Sequence, residues 1–207
     1  MIRVKICGIT SREDAWVAVE AGVDALGFIF VEGTPRWIEP DAAAAIVVEM
    51  PPFVTTVGVF VNRIPEEVES IAASSGISLA QLHGTEPPEE CGRLRVPFVK
   101  AIRIRGEADV AAMHRYKQAR AFLLDTYVPD RHGGTGRRFP WEIAARAARE
   151  SRIILSGGLT PETVAKAVAQ VRPYAVDVCS GVESSPGRKD HRKVREFIEQ
   201  AKQASTR

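Results

Sequence analysis

Val4-Lys5-Ile6-Cys7-Gly8-Ile9-Thr10 is a short β-branched run that ends on a thiol, breaks at a glycine and passes directly into a helix start. Residues 3–7 have the length and the Val/Ile content of a strand. Gly8 punctuates it, and Thr10 with Glu13 three residues later spells a capping box. A side-chain period of two places Arg3, Lys5 and Cys7 on one face and Val4 and Ile6 on the other. The apolar face suits a layer of helices, and the polar face suits the inside of a closed sheet. Cys7 on this segment alone reads either as a small buried hydrophobe or as a working thiol delivered to a strand's end.

Outward from that unit the same order recurs, a β-rich run followed by a helical one. Strands are expected over 25–30, 55–60, 79–83, 98–102, 121–125, 152–156 and 175–179. The first helix, over 11–21, sets Trp16, Val19 and Val23 at helical spacing and stops at Gly22. Later helices are expected from 41, over 65–76, 88–94, 108–116 and 140–149, from Pro161, and over 190–204. Such alternation implies parallel strands joined by helical crossovers. Eight units in 207 residues leave roughly 26 residues each, near the lower limit of a (β/α)8 TIM barrel, here one domain spanning 1–207. A doubly wound open sheet is the alternative; it more often carries G-x-G-x-x-G after its first strand, and Cys7-Gly8-Ile9-Thr10-Ser11 does not.

The composition, 45% hydrophobic and 26% charged, is that of an ordinary globular chain able to bury one core. A formal net charge of +2 gives no electrostatic case for nucleic acid or a membrane surface, so an anionic ligand must be held by local chemistry. Cys7, Cys91 and Cys179 are odd in number and widely spaced, without metal-type pairing, and no secretory segment precedes the first strand. A cytoplasmic chain with reduced thiols is expected, and no apolar run approaches the roughly 18 residues needed to span a bilayer.

In a barrel the working surface is the ring of loops after the strands' C-terminal ends. That position singles out Cys7, Arg36, His83, Asp125, Gly157, Gly158 and the stretch from Asp177 to Glu183. The glycine turns after strands seven and eight let backbone approach a ligand, and a helix N-terminus behind them favours an anion, the usual phosphate position of this fold. The same glycines also read simply as tight turns. A thiol on strand one and a carboxylate on strand six, overlooking one mouth, suit an isomerisation that takes a proton from carbon while another goes to a departing oxygen. The thiol then works as thiolate, favoured by Lys5 one pleat deeper or by the helix start that follows.

Each residue has a plainer reading beside that one. Asp125 reads also as an N-cap or loop ion pair, Arg36 as a solvated loop cation, and His83 as a structural histidine. Arg36 stands beside Trp37, and a guanidinium beside an aromatic suits a planar carboxylate. Asp177, placed with the substrate-facing residues, faces inward beside Lys5 once the sheet closes, so the two can pair there. Cys91 and Cys179 read as packing residues. The longest connection, 126–139, holds Gly133, Gly134 and Gly136 and reads as a binding loop or lid.

Seven words carry a resemblance: Val4-Lys5-Ile6-Cys7-Gly8-Ile9, Gly58-Val59-Phe60-Val61-Asn62, Gln81-Leu82-His83-Gly84, Leu124-Asp125-Thr126, Gly133-Gly134-Thr135-Gly136, Leu155-Ser156-Gly157-Gly158-Leu159 and Asp177-Val178-Cys179-Ser180-Gly181-Val182-Glu183. Spread from first strand to last, they resemble phosphoribosylanthranilate isomerase of tryptophan biosynthesis. The resemblance implies a (β/α)8 fold, no metal or organic cofactor, and a small phosphorylated aminosugar substrate handled by a monomer or homodimer. It also implies an Amadori rearrangement in which Asp125 is the general acid and Cys7 the general base. Arg36 would hold the anthranilate carboxylate, and the backbone around Gly157, Gly158, Ser180 and Gly181 the phosphate. Thr34 stands where that family commonly has Ser before Pro-Arg, and Pro140 where an Asp often precedes Trp141. The sugar-phosphate isomerase of histidine biosynthesis runs the same rearrangement but puts a carboxylate where Cys7 sits, and a non-catalytic phosphosugar binder would have no use for the Cys7 and Asp125 pair.

Overall fold

The computed structural model describes residues 1–126 and 141–205. The glycine-rich connection from residue 127 on, and Pro140, lie outside the described residues. Parallel strands β1 (Arg3–Cys7), β2 (Ala25–Ile29), β3 (Thr55–Phe60), β4 (Leu79–Leu82), β5 (Phe98–Ile104), β6 (Phe122–Thr126), β7 (Ile153–Leu155) and β8 (Ala175–Val178) form one closed barrel. Between and after them run α1 (Arg12–Glu20), α2 (Pro40–Val47), α3 (Pro65–Ser75), α4 (Pro88–Cys91), α5 (Glu107–Ala111), α6 (Trp141–Glu150), α7 (Pro161–Val171) and α8 (His191–Ala204). The open-sheet alternative fails at the seam, where β1 pairs with β8 in the register Lys5 to Asp177 and Ile6 to Val178.

The pleat sorts the side chains as alternation requires. Val4, Ile6, Leu26, Phe28, Phe60, Leu82, Leu124, Leu155 and Val176 face outward into the main core, which they share with helix residues such as Val168, Val194 and Phe197. Val99, Ala101, Leu123, Ile154 and Ala175 face inward and fill the barrel as a separate cluster. Above them, Lys5 Nζ lies 2.8 Å from Asp177 Oδ1, both side chains buried, and Ser156 Oγ donates to the other carboxylate oxygen at 2.9 Å. This is the interior pairing expected of Lys5 and Asp177, and it commits both oxygens of Asp177.

Local signals were misplaced at three points. The N-cap of α1 is Ser11, which accepts from the Asp14 N–H at 3.1 Å, while the Thr10 hydroxyl is drawn away to the Gly187 carbonyl at 2.7 Å. The buried face of that helix is Asp14, Ala15, Val17 and Ala18; Trp16 is half-buried, its indole N–H donating to Glu49 at 3.2 Å. Small residues let the helix sit close to the strands, so the large one moves to the flank. After β8 comes an unforeseen 3-10 turn, Ser180–Val182, then an antiparallel hairpin of β9 (Glu183–Ser185) and β10 (Arg188–Lys189).

Removing one partner of a buried ion pair leaves the other uncompensated. Asp177→Ala is therefore expected to lower unfolding free energy by about 3–5 kcal/mol in urea titrations, and the double variant Lys5→Met/Asp177→Leu to recover most of that loss.

Candidate active site

Cys7 ends β1 on its inward face and is 5% exposed. Gly27 stands opposite it in register, and a Cβ there would lie 2.8 Å from the Cys7 sulfur, so the absent side chain on β2 is what makes room for the thiol. The thiol is held well below its ordinary range, at about 6. The largest cause is a side-chain hydrogen bond with the neighbouring Cys179; burial opposes ionisation, and the Lys5 ammonium one pleat beneath favours it. Burial acts to lower the Lys5 value, but the negative charges of Asp177 and Cys7 outweigh that and push it up, so Lys5 stays a cation. The two influences expected on the thiol were Lys5 and the helix start that follows; Lys5 contributes, and a larger influence comes from Cys179, which stood among the packing residues. That reading is corrected here: Cys179 follows β8 directly, inward-facing by the same alternation as Asp177. Cys91 is a packing residue, buried in the main core, its thiol pushed up to about 11 by burial.

Asp125 lies on β6 with the parity of Leu123, a member of the interior cluster, and is 7% exposed. Its Oδ2 is 3.4 Å from His83 Nε2. Gln81 Nε2 lies 2.8 Å from His83 Nδ1. With the Gln81 amide donating to Nδ1, the Nε2 edge of the imidazole is the one that faces the Asp125 carboxyl. Sequence reading passed over Gln81 as a residue; its only signal was being two positions before His83, on the same face. Cys7 and Asp125 thus both project into the C-terminal rim of one barrel, from strands that approach it from different sides.

Arg36, in the loop after β2, is not a solvated cation. Its Nε and one terminal nitrogen grip both oxygens of Glu183 at 2.8 and 2.6 Å, the two-pronged geometry that favours Arg over Lys. Glu183 Oε1 also takes Lys189 Nζ at 3.0 Å, and the Lys189 side chain is wholly buried. Burial acts to raise the Glu183 value, but the Arg36 and Lys189 bonds hold it below the usual carboxylate range. Glu183 and Lys189 went unassigned because the hairpin bearing them was not foreseen. The Ser185-Pro186-Gly187 turn chemistry was the signal available.

The loop after β7 turns through Gly157 and Gly158, both at positive φ (85° and 67°), into the N-terminus of α7, where Pro161 occupies the first position. A Cβ on Gly181 would fall 1.9 Å from the Leu159 carbonyl oxygen, so only glycine lets the eighth loop close on the seventh. Among the described residues, no protein acceptor takes the N–H of Gly157, Gly158, Ser180 or Gly181. Grouped donors beside a helix N-terminus make an anion cradle. Among the described residues no helix is long and apolar enough to cross a membrane.

An ionised thiol and a carboxylate on one barrel rim, with an anion cradle on the seventh and eighth loops, define a (β/α)8 enzyme of the proton-moving kind that works on a phosphorylated substrate. The family model for N-(5'-phosphoribosyl)anthranilate isomerase matches residues 4–200. A relative of that name from Geobacter sp. (strain M21) is 57% identical over 205 residues, covering 99% of this chain and 100% of the relative. The crystal structure of phosphoribosyl anthranilate isomerase from Thermotoga maritima superposes with a TM-score of 0.92 at 45% identity, covering 98% of this chain and 100% of that one. A further structure, the isomerase in complex with reduced 1-(o-carboxyphenylamino)-1-deoxyribulose 5-phosphate, superposes at 0.89 with 44% identity and the same coverage. The chain belongs to the phosphoribosylanthranilate isomerase family.

An ionised Cys7 beside a buried Cys91 predicts selective chemistry. Iodoacetamide is expected to label Cys7 with a rate that rises through about pH 6, while Cys91 stays unlabelled below about pH 9, read by peptide mass mapping across a pH series.

Proposed function

We infer that this chain converts N-(5'-phosphoribosyl)anthranilate to 1-(2-carboxyphenylamino)-1-deoxyribulose 5-phosphate, the Amadori rearrangement of tryptophan biosynthesis. Membership of the family supports the activity; the inward-facing Cys7 at the end of β1, over the buried Lys5–Asp177 pair, is the one observation that carries the assignment of roles. The reaction moves two protons and transfers no electrons to or from the protein. Asp125, with the His83 ring beside it at 3.4 Å, gives a proton to the ribose ring oxygen as the C1–O bond breaks, and the anthranilate nitrogen lone pair forms the protonated Schiff base. Cys7 thiolate then removes the proton from C2. The electrons flow into the C1–C2 bond and neutralise the iminium, leaving an enolamine that tautomerises to the ketone.

The substrate's two fixed charges fit the two ends of the rim. The free edge of the Arg36 guanidinium, held in plane by Glu183, supports its role in gripping the anthranilate carboxylate. The N–H groups around Gly157, Gly158, Ser180 and Gly181 support phosphate binding without a side-chain cation. Distance between these anchors positions the ribose over the acid and base, which is where orientation contributes to rate. Asp177, its oxygens committed to Lys5 and Ser156, serves from beneath by keeping Lys5 charged under Cys7.

Cys7→Ala and Asp125→Asn are each expected to lower kcat at least about 10²-fold with little change in KM, followed by the decay of anthranilate fluorescence. Near-wild-type turnover in either variant removes that residue from its role. Arg36→Met is expected to raise KM by about tenfold or more, the loss of a hydrogen bond to a charged group. In the unaltered enzyme kcat/KM is expected to fall below about pH 6, because protonating Cys7 removes the base.

A further inference from the structure

We propose that Glu86 and Lys100 are positioning residues for the acid side of the rim: their buried ion pair clamps the backbone on both sides of His83 and so holds its imidazole against Asp125. The proposal rests on the reading of Asp125 as the acid with His83 beside it.

Lys100 stands in an apolar layer. On β5 it alternates with the interior residues Val99 and Ala101, so its side chain leaves the barrel with Phe98 and enters the core beneath the helices. There it is 1% exposed, and Glu86, in the loop after β4, is 4% exposed. Lys100 Nζ lies 3.1 Å from Glu86 Oε2. Desolvating two charges consumes most of what their attraction returns, and apolar side chains of like volume usually serve stability as well. What these charges hold is backbone.

Lys100 Nζ donates to the Leu82 carbonyl at 3.2 Å and to the Gly84 carbonyl at 3.0 Å. Glu86 Oε1 accepts the Gly84 N–H at 2.9 Å, and the His83 N–H donates to the Phe60 carbonyl of β3 at 2.8 Å. Asn62 completes the clamp from the third loop. Its backbone N–H donates to the same Glu86 oxygen at 2.9 Å, and its side-chain oxygen accepts the Thr85 N–H at 2.7 Å. In doing both it takes a left-handed φ of 52°, one of two non-glycine residues at positive φ among the described residues. A Cβ on Gly84 would lie 2.7 Å from Glu86 Oε1 and would also strike Asn62 Oδ1, so the loops close only around a glycine. Three consecutive peptide units, from Leu82 to Thr85, are thus locked, while the ring of His83 meets Gln81 at 2.8 Å and Asp125 at 3.4 Å. The second contact has no slack: a backbone shift of about 1 Å breaks it.

The test compares Glu86→Gln and the apolar double variant Lys100→Met/Glu86→Leu, each made with His83 present and with His83→Ala, in the full-length enzyme. Both are expected to lower kcat about tenfold with KM changed less than about twofold, a loss of orientation rather than of binding. His83→Ala alone is expected to give the same loss, and adding either variant to it to change kcat by less than about twofold, because no ring is left to position. The imidazole signal of His83, identified in histidine-selective NMR spectra by its disappearance in His83→Ala, is expected to move and broaden in both variants while those of His114 and His191 stay in place. Urea midpoints separate this from general weakening: Glu86→Gln, which strands Lys100, is expected to unfold earlier, and the apolar double variant to recover the midpoint but not kcat. Unchanged kcat and an unmoved His83 signal in the apolar double variant overturn the proposal, as does an equal loss of kcat with and without His83. The NMR signal needs no turnover: should Asp125→Asn remain active, the reading of the acid falls while the clamp is still judged by that signal.

Discussion

Everything at the rim depends on how the barrel closes. Parallel pairing of β1 with β8 in one register sets Lys5 against Asp177, and because side chains repeat every two residues, it leaves Cys7 inward-facing one layer higher. A slip of β8 by one residue would turn Asp177 outward into the helix layer and leave Lys5 without its partner. The buried ion pair is poor at adding net stability, since desolvating two charges consumes most of their attraction, but a mismatched seam would strand both charges without partners. The pair thus acts on register and, through register, on the site. Ser156, directly after the seventh strand, joins it by donating to Asp177, so the ends of three neighbouring strands are tied together at this level.

Charge balance explains how a chain of net charge +2 handles a substrate with two anionic groups. Lys5, Arg36 and Lys189 are buried or half-buried, and each is matched by Asp177 or Glu183. Low dielectric around these pairs makes their fields strong at short range while they cancel at long range. The positive influence that remains falls on Cys7, beside Lys5 and Arg36. The seventh and eighth loops differ: what they present at the rim, among the described residues, is backbone N–H groups, without a side-chain cation.

The hairpin of β9 and β10 is the part of the structure that converts a barrel into this site. It carries both ends of the Glu183–Lys189 bond. Through Glu183 it orients Arg36 from the second loop, and through the Gly187 carbonyl it holds the Thr10 hydroxyl on the first. Loops one, two and eight are therefore one hydrogen-bonded unit, and the acid side of the rim, Asp125 with His83 and Gln81, is a second unit across the opening.

By itself the sequence determined the eight strands, the faces they present and the residues at their C-terminal ends, because hydrophobic period, β-branching and glycine punctuation act locally. It also announced the glycine turn into the seventh helix and the Lys5–Asp177 pair, the latter because closing any eight-stranded barrel makes the first and last strands neighbours. Tertiary structure alone decided the N-cap of α1, where the hairpin took Thr10 and left Ser11 to serve. It alone decided the partner of Arg36, which lies 147 positions away in Glu183, and the surroundings of Cys179, a small apolar-looking residue until the hairpin brought Glu183 and Lys189 against it. Those contacts come from chain segments far apart, and no spacing along the chain records which side chains a closed sheet will press together.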